Sequence, residues 1–231
     1  MKYKAVLFDL DGTLLPLDLE SFIQDYFRAL SASVAAHVEP KRFVSALLQA
    51  TQVMLENDGS KTNSQVFMDS FLPLLDCKPE TLMPLFERFY QEKFPDLGKD
   101  IKPLPQARQA VELAAGQGAK IVLATNPVFP RAAVDARLEW AGLGDIEFDW
   151  ITSYENSCYC KPNPGYYMEI LENINLKPQQ CLMVGNDTRE DTAAGAVGMD
   201  TFLVEGHIVE HAGAPAPTWR GSWEQLLELL Q

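Results

Sequence analysis

Near its N-terminus the chain reads Val6-Leu7-Phe8-Asp9-Leu10-Asp11-Gly12-Thr13-Leu14. The apolar residues at the beginning of this segment predict a short buried strand. Asp9 and Asp11 are two positions apart, so their side chains point to the same face if the strand continues. Two adjacent carboxylates repel each other, and a site that holds both usually needs a cation or a shared proton. Gly12 then permits a sharp exit from the strand.

The composition excludes one large class of function. The chain has 231 residues, of which 47% are hydrophobic, enough for a sizeable core. Its 19 lysines and arginines are outnumbered by 32 aspartates and glutamates, which gives a net charge of -13. An acidic protein is a poor candidate for binding the phosphate backbone of a nucleic acid. We therefore expect no nucleic-acid partner.

The sequence also carries a prediction about location. The N-terminal apolar run is short and is interrupted by Asp9 and Asp11, so it does not predict a signal peptide. No uncharged apolar stretch is long enough to cross a bilayer. The cysteines do not form the disulfide framework of a secreted protein, and we interpret Cys158 and Cys160 as incidental free thiols. We expect a soluble, cytoplasmic protein with reduced thiols and no membrane partner. The cysteines are Cys77, Cys158, Cys160 and Cys181.

Residues 19–98 predict an all-helical insert. Apolar side chains recur there at helical spacing, and eight of the 12 phenylalanines lie in this range. Breaks between helices are expected near Glu39-Pro40, 57–60 and 77–79. Pro84 predicts that the last helix kinks or begins later. We interpret most of the aromatic side chains as packing rather than as a ligand site, and predict a separate helical cap domain with its own core.

From Pro103 onward, predicted helices and strands alternate. Together with the first strand, this alternation predicts the α/β class, a doubly wound parallel sheet with helices on both faces. The core domain would comprise 1–18 and 99–231, and the helical cap would be inserted into it. Strands are predicted at 119–124, 148–152, 180–184 and 201–204, and helices at 105–116, 130–141, up to about 173, at 190–197 and at 223–230.

Polar side chains follow several of these predicted strands. Ligands of parallel α/β sheets bind beyond the carboxyl ends of the strands, so we expect these side chains to converge on one crevice. Three aspartates would offer oxygen ligands to Mg²⁺, which prefers few carboxylates together with substrate phosphate oxygens. A lysine and a threonine would hold phosphoryl oxygens, and phosphoryl transfer mainly requires such positioning and charge stabilisation. The residues are Asp9, Asp11, Thr125, Asn126, Lys161 and Asp187.

Four segments in this order resemble the motifs of the haloacid dehalogenase superfamily, in the branch with a helical cap between the first two motifs. The resemblance covers essentially the whole chain. It implies a Rossmann-like core and a Mg²⁺-dependent phosphatase that acts on a small phosphorylated metabolite through an aspartyl-phosphate intermediate. The segments are Asp9-Leu10-Asp11-Gly12-Thr13, Thr125-Asn126, Lys161-Pro162, and Gly185-Asn186-Asp187 followed by Asp191.

The resemblance also implies roles for individual residues. Asp9 would be the nucleophile and Asp11 the general acid and base. The metal would be held by the Asp9 carboxylate, the Asp11 backbone carbonyl and the Asp187 side chain. The family usually has aspartate directly after the glycine of the fourth motif, and we interpret Asn186 as an inserted neighbour. Thr125, Asn126 and Lys161 would bind phosphate, with Thr13 and Asp191 in supporting positions.

Several alternatives remain open at this stage. Asp11 argues against a dehalogenase, which lacks this second acid, but a sugar-phosphate mutase needs it too. A non-catalytic protein that binds a phosphorylated metabolite is an alternative of another class. His207 and His211 are interpreted as part of a surface connection rather than as a metal pair. Asp18 and Glu20, near the expected entrance, disfavour a highly anionic leaving group. The substrate and the choice between monomer and homodimer are left undecided.

Overall fold

The structure, a computed structural model, describes residues 2–231; Met1, the first residue of the predicted core, lies outside them. Within that range six strands form one sheet in which every neighbouring pair is parallel. They are β1 (Ala5–Phe8), β2 (Lys120–Leu123), β3 (Trp150–Ile151), β4 (Cys181–Gly185), β5 (Asp200–Val204) and β6 (Trp219–Gly221). The order β3-β2-β1-β4-β5-β6 places β1 at the centre.

The register of β1 brings several strand ends to one edge. Phe8 pairs with Leu123 of β2 and Val184 of β4. All residues of β1 are buried, as expected for a strand that is covered on both faces. The Asp9 backbone N–H donates to the Val184 carbonyl at 2.9 Å, and the Ala124 N–H donates to the Phe8 carbonyl at 2.7 Å. The residues that follow these strands therefore lie side by side.

Eight α-helices accompany the sheet within residues 2–231. Four lie between β1 and β2: α1 (Leu19–Val34), α2 (Pro40–Leu55), α3 (Asn63–Phe71) and α4 (Pro79–Arg88). The other four are α5 (Pro105–Gly116), α6 (Arg131–Trp140), α7 (Pro164–Ile174) and α8 (Trp223–Leu230). The helix breaks in the insert fall where they were predicted.

Three local predictions differ from the structure. Helix α4 begins at Pro79, since proline is favourable in a first turn, and includes Pro84, so the predicted later start is wrong. The helix predicted at 190–197 is a shorter 3₁₀ helix, Thr192–Val197, because the N–H groups of Arg189 and Glu190 instead donate to the Asp187 carboxylate in the preceding turn. Strand β6 is too short for any periodic pattern and was not predicted.

The two faces of the sheet carry separate apolar clusters. Ala5 and Leu7 point towards one face, where they join α7. Val6 and Phe8 point to the opposite face, in agreement with the alternation of side chains along a strand. Both faces are covered, which confirms the predicted α/β fold with a parallel sheet. The second cluster continues without interruption into the helices of the insert, so the boundaries 19–98 stay a prediction.

The helical insert lies on the carboxyl edge of the sheet. The Phe22 ring lies 6.2 Å from that of Phe129, and Phe94 stacks on Trp140 at 5.2 Å. The Asn63 backbone N–H donates to the Ser157 carbonyl at 2.8 Å, which fastens α3 to the loop before α7. The insert thus covers the place where the strands end. Across residues 2–231, no helix is both long and apolar enough to span a bilayer.

Candidate active site

Lys161 links two acids that are distant in sequence. Its Nζ donates to Asp9 Oδ1 at 2.8 Å and to Asp191 Oδ1 at 2.6 Å. The Lys161 side chain is completely buried. Burial lowers the pKa of Lys161, but the carboxylates of Asp191 and Asp9 outweigh this effect and raise it well above its usual value. Lys161 therefore carries its positive charge next to Asp9.

Asp9 lies directly after β1 and is only 8% exposed. Its second oxygen, Oδ2, accepts a hydrogen bond from the Thr13 hydroxyl at 3.2 Å. Burial raises the pKa of Asp9 to about 7, while Lys161 lowers it and the Asp191 carboxylate raises it. Two carboxylates thus share one ammonium group in a buried place. A metal cation bound to the Asp9 carboxylate would favour its ionised form.

Asp11 is held by a residue that the sequence did not reveal. Its Oδ2 accepts a hydrogen bond from Nη1 of Arg137, a fully buried side chain of α6. Arg137 also donates from Nε to the Ala133 carbonyl, and its guanidinium lies 4.4 Å from the centre of the Phe129 ring. Among the described residues, Asp11 Oδ1 and Arg137 Nη2 are buried without a hydrogen-bond partner.

A signal for Arg137 exists in the sequence. It lies three residues after Val134 and immediately before Leu138, within the apolar stripe that α6 buries. A charge in such a stripe is usually paired, because an unpaired buried charge is strongly unfavourable. The stripe therefore indicates a buried ion pair, but it does not identify the partner.

Asn186 and Asp187 occupy different surroundings. The Asn186 amide oxygen lies 3.0 Å from the Thr13 hydroxyl, which also contacts Asp9. Asp187 Oδ1 instead accepts the N–H groups of Arg189 and Glu190 at 2.7 and 2.8 Å. Asn186, rather than Asp187, is therefore linked to the Asp9 carboxylate, through the Thr13 hydroxyl.

The other Asp187 oxygen also has a hydrogen-bond partner other than Asp9 or Lys161. Asp187 Oδ2 lies 2.9 Å from His211 Nε2. His211 thus belongs to the connection after β5, as predicted, and contacts Asp187, one of the acids that were assigned to the metal. Both oxygens of Asp187 have protein partners in this arrangement.

Asp191 organises the loop after β4. Its Oδ1 accepts from Lys161, and its Oδ2 accepts the backbone N–H groups of Asn186 and Asp187, both at 2.9 Å. A Cβ on Gly185 would lie 2.1 Å from Asp191 Cγ, so only glycine allows this approach. One carboxylate therefore orients both the lysine and the loop that carries Asn186.

Thr125 and Asn126 follow β2. Thr125 is buried, and its carbonyl accepts hydrogen bonds from Thr152 and Tyr166. The Asn126 side chain accepts the Lys161 backbone N–H at 3.2 Å and donates to Glu190 at 3.1 Å. Asn126 thus connects the end of β2 with Lys161 and with the loop after β4. Burial raises the pKa of Glu190, a residue that the sequence did not single out, to about 7.

The oxygen atoms near Asp9 suit a hard cation that takes most of its ligands from water and substrate. Within residues 2–231 no three Asp, Glu, His or Cys side chains are grouped as metal ligands. Asp9 Oδ2 and the Asn186 amide oxygen nevertheless flank the same hydroxyl group, that of Thr13. Mg²⁺ is usually bound by one or two carboxylates plus substrate oxygens, so few protein ligands are required. The residues present fit Mg²⁺.

Comparison with known proteins adds relatives of the whole chain. A sequence model of the haloacid dehalogenase-like hydrolases matches residues 3–198. The chain is 27% identical over 206 residues to a phosphoglycolate phosphatase of Nitrosospira multiformis, covering 87% of this chain and 82% of that protein. It is 23% identical over 209 residues to the pyrophosphatase PpaX of Bacillus cereus, covering 88% and 84%. The magnesium-bound crystal structure of YfnB from Bacillus subtilis superposes over all of both chains with a TM-score of 0.61 and 19% identity.

Proposed function

Because the chain belongs to the haloacid dehalogenase-like hydrolases, we propose that it is a Mg²⁺-dependent phosphatase of a small phosphorylated metabolite. The observation that carries the proposal is the buried Asp9 carboxylate, 2.8 Å from Lys161 Nζ. A second acid, Asp11, follows two residues later. Nucleophile, cation and acid together supply the positioning and charge stabilisation that phosphoryl transfer requires.

Asp9 would act as the nucleophile. Its carboxylate attacks phosphorus and forms an aspartyl phosphate, while the bond from phosphorus to the ester oxygen breaks. Asp11 gives a proton to the departing oxygen and then takes one from the water that attacks the aspartyl phosphate. Inorganic phosphate leaves, and both acids return to their starting state. Lys161 offsets the charge on the phosphoryl oxygens, and the Thr125 hydroxyl donates to one of them.

The metal would be held by Asp9, the Asp11 backbone carbonyl and the Asn186 amide oxygen. We propose Asn186 in the place predicted for Asp187, because Asn186 shares the Thr13 hydroxyl with Asp9 and both Asp187 oxygens have other partners. When bound, Mg²⁺ would supply the positive charge that favours ionised Asp9 and would neutralise phosphoryl oxygens.

Asp11 has one oxygen free for proton exchange. Its Oδ2 is bonded to Arg137, whereas its Oδ1 has no partner within the described residues. We therefore assign the proton transfer to Oδ1. Arg137 positions this oxygen by holding the opposite side of the carboxylate.

The insert would work as a cap over this site. We propose that residues 19–98 form a cap domain that opens to admit substrate to the core of 1–18 and 99–231, as lids commonly do. The contacts of Phe22 with Phe129, of Asn63 with Ser157 and of Phe94 with Trp140 would belong to the closed position. The described cysteines are unpaired thiols, which suits a reducing compartment, and we propose the cytoplasm as the place of action.

Phosphate release from a panel of phosphorylated metabolites tests the proposal. We expect release by the wild-type protein that needs Mg²⁺ and is lost by about a thousandfold or more in Asp9→Asn, since the nucleophile is removed. Asp25→Asn is the matched control, because Asp25 is an exposed acid of α1 whose carboxylate is paired with Arg28. Equal activity of Asp9→Asn and wild type would contradict the proposal.

Two other results would point to the alternatives. Conversion of one sugar phosphate to its isomer without net phosphate release, followed by phosphorus NMR, would identify a mutase. Binding of a phosphorylated metabolite by calorimetry, with no turnover of any ester, would identify a binding protein.

A further inference from the structure

The helical cap forms a partly open cavity of about 440 Å³. This volume lies in the range of small-molecule pockets, which are 300–1,000 Å³ in size. Helices α1 to α4 form most of the wall, and the loop from β2 to α6 closes one end. The side chains that line it include Leu30, Leu47, Phe67 and Phe71 from the cap and Val128 and Phe129 from the core.

The cavity is apolar and opens to solvent at its rim, so helices α1 to α4 leave a space that their own side chains do not fill. Protein cores are packed at crystal-like density with few voids larger than a water molecule. An unfilled cavity lowers stability, because its lining loses contacts on one side. Leu48 and Met83 line the cavity and are also 51% and 41% exposed, so its rim presents apolar side chains to solvent. This arrangement is typical of a site that a ligand fills.

The charge of the lining restricts the ligand. The described lining residues include one acid, Glu87, and neither lysine nor arginine. A phosphate or carboxylate would find no cation there. The lining also includes uncharged polar side chains, among them Tyr26 and Tyr90, whose hydroxyls are bonded to each other at 2.7 Å. The cavity therefore suits an uncharged, largely apolar group.

The core end of the cavity is close to the catalytic acid. Phe129 lines the cavity, and its ring lies 4.4 Å from the Arg137 guanidinium carbon. Arg137 in turn is hydrogen-bonded to Asp11. The loop that forms this end of the cavity also continues directly from Thr125 and Asn126. Arg137 thus lies between Phe129, part of the apolar wall, and Asp11, the acid proposed to protonate the departing oxygen.

From these observations we infer that the cavity receives the alcohol portion of the substrate, and that this portion is an aryl or bulky alkyl group. The inference rests on the proposed phosphatase function and names its substrate class as hydrophobic phosphate monoesters. It agrees with the expectation from Asp18 and Glu20 that an anionic leaving group is disfavoured. It separates this chain from relatives named for phosphoglycolate and pyrophosphate, whose leaving groups are charged.

A pair of esters tests the inference. We expect kcat/KM for 1-naphthyl phosphate to exceed that for phosphoglycolate by about tenfold or more, since several buried apolar groups contribute to the difference. Thr51→Trp, which fills the cavity from α2, should lower kcat/KM for 1-naphthyl phosphate by about tenfold and leave phosphoglycolate within about twofold. Val53→Trp is the matched control, because Val53 lies on the same helix, is 43% exposed and does not line the cavity.

A second variant fills the same cavity at a partly exposed position, in case Thr51→Trp does not fold. Met83→Trp fills the rim of the cavity from α4, where the side chain is already half exposed. Circular dichroism and thermal unfolding show whether each variant is folded. Equal losses for both esters in folded Thr51→Trp and Met83→Trp, or no loss in either, would overturn the inference.

A binding measurement separates the cavity from catalysis. Calorimetric titration of the Asp9→Asn variant with 1-naphthol measures binding without turnover. We expect 1-naphthol to bind this variant. Adding Thr51→Trp to it should remove the binding, and adding Val53→Trp should preserve it. If no ester is hydrolysed but this binding pattern is found, the phosphatase proposal fails and the cavity remains an apolar ligand site. If 1-naphthol does not bind, the cavity proposal fails whatever the activity. Binding of 1-naphthol together with preference for phosphoglycolate would overturn its role as the leaving-group site.

Discussion

Arg137 and Asp11 form an ion pair between α6 and the turn after β1, 126 positions apart in sequence. The arginine side chain is fully buried, and the aspartate side chain is 17% exposed. Arg137 also lies against Phe129, a wall of the cap cavity. One guanidinium therefore connects the proposed general acid with the surface that would face the leaving group.

Removal of one partner from this pair should be more harmful than removal of both. We expect Arg137→Met to lower the free energy of unfolding by about 3 kcal/mol, because it leaves the Asp11 charge without its buried partner. The double variant Arg137→Met with Asp11→Asn should lose less than the two single variants combined. Urea unfolding measures the free energy of unfolding of the two single variants and of the double variant. Strict additivity would show that the two side chains are not coupled.

Arg137 should also position Asp11 during turnover. Arg137→Met is expected to lower kcat for the best ester by about tenfold to a hundredfold with little change in KM, since general acid–base catalysis contributes about 10²–10⁴-fold and depends on geometry. Arg137→Lys keeps the charge and should recover part of kcat. A purely structural role would instead leave kcat of the folded variants unchanged.

Lys161 should be essential for stability as well as for activity. Lys161→Met leaves Asp9 and Asp191 buried without their shared cation, and we expect a loss of about 3–5 kcal/mol in the free energy of unfolding. Lys41→Met, at an exposed position of α2, should change it by less than about 0.5 kcal/mol. Chemical denaturation compares the two. If Lys161→Met lowered the free energy of unfolding as little as the control, Lys161 would not stabilise the fold through Asp9 and Asp191.

The third metal ligand can be identified without measuring activity. We expect Asn186→Ala to weaken Mg²⁺ binding by about tenfold or more and Asn186→Asp to strengthen it, because the change adds a carboxylate next to Asp9. Asp187→Asn should alter the affinity by less than about threefold, since Asp187 acts only through the loop. Calorimetric titration with Mg²⁺ measures each affinity. The reverse ranking of Asn186→Ala and Asp187→Asn would restore the original assignment of Asp187.

Gly12 should tolerate no side chain. Its φ is +84°, and a Cβ there would lie 2.3 Å from Asn186 Nδ2. We expect Gly12→Ala to lower the free energy of unfolding by about 1–3 kcal/mol through backbone strain and to weaken Mg²⁺ binding by displacing Asn186. Gly116→Ala is the matched control, because Gly116 lies in α5 with nothing within 4 Å of a new Cβ. That variant should be neutral or more stable by about 0.4–1 kcal/mol.

The convergence of Asp9, Asn126 and Lys161 could be predicted from the sequence for a topological reason. Parallel strands place their carboxyl ends at one edge of the sheet, so residues that follow such strands lie close together. Apolar runs and alternating helices are enough to recognise that arrangement. The helix breaks of the insert were predicted for a similarly local reason, since proline and capping residues act within a few positions.

Other features depend on loop geometry that local patterns do not contain. Asn186 and Asp187 are adjacent, and the turn after β4 decides which of them faces Asp9. That turn is set by Asp191, which binds both backbone N–H groups and Lys161. The sequence supplied both candidate ligands, but the choice between them follows from a long-range hydrogen-bond network.

The sequence by itself determined the α/β fold, the order of the strand-end motifs and the helical nature of the insert, because each depends on periodicity or on residues a few positions apart. Only the tertiary structure decided that Arg137 pairs with Asp11 and that the aromatic stripes of the cap surround a cavity. Helical spacing shows which side chains turn inward. Whether they fill the interior depends on how volumes and rotamers from several helices fit together, which no single stretch of sequence specifies.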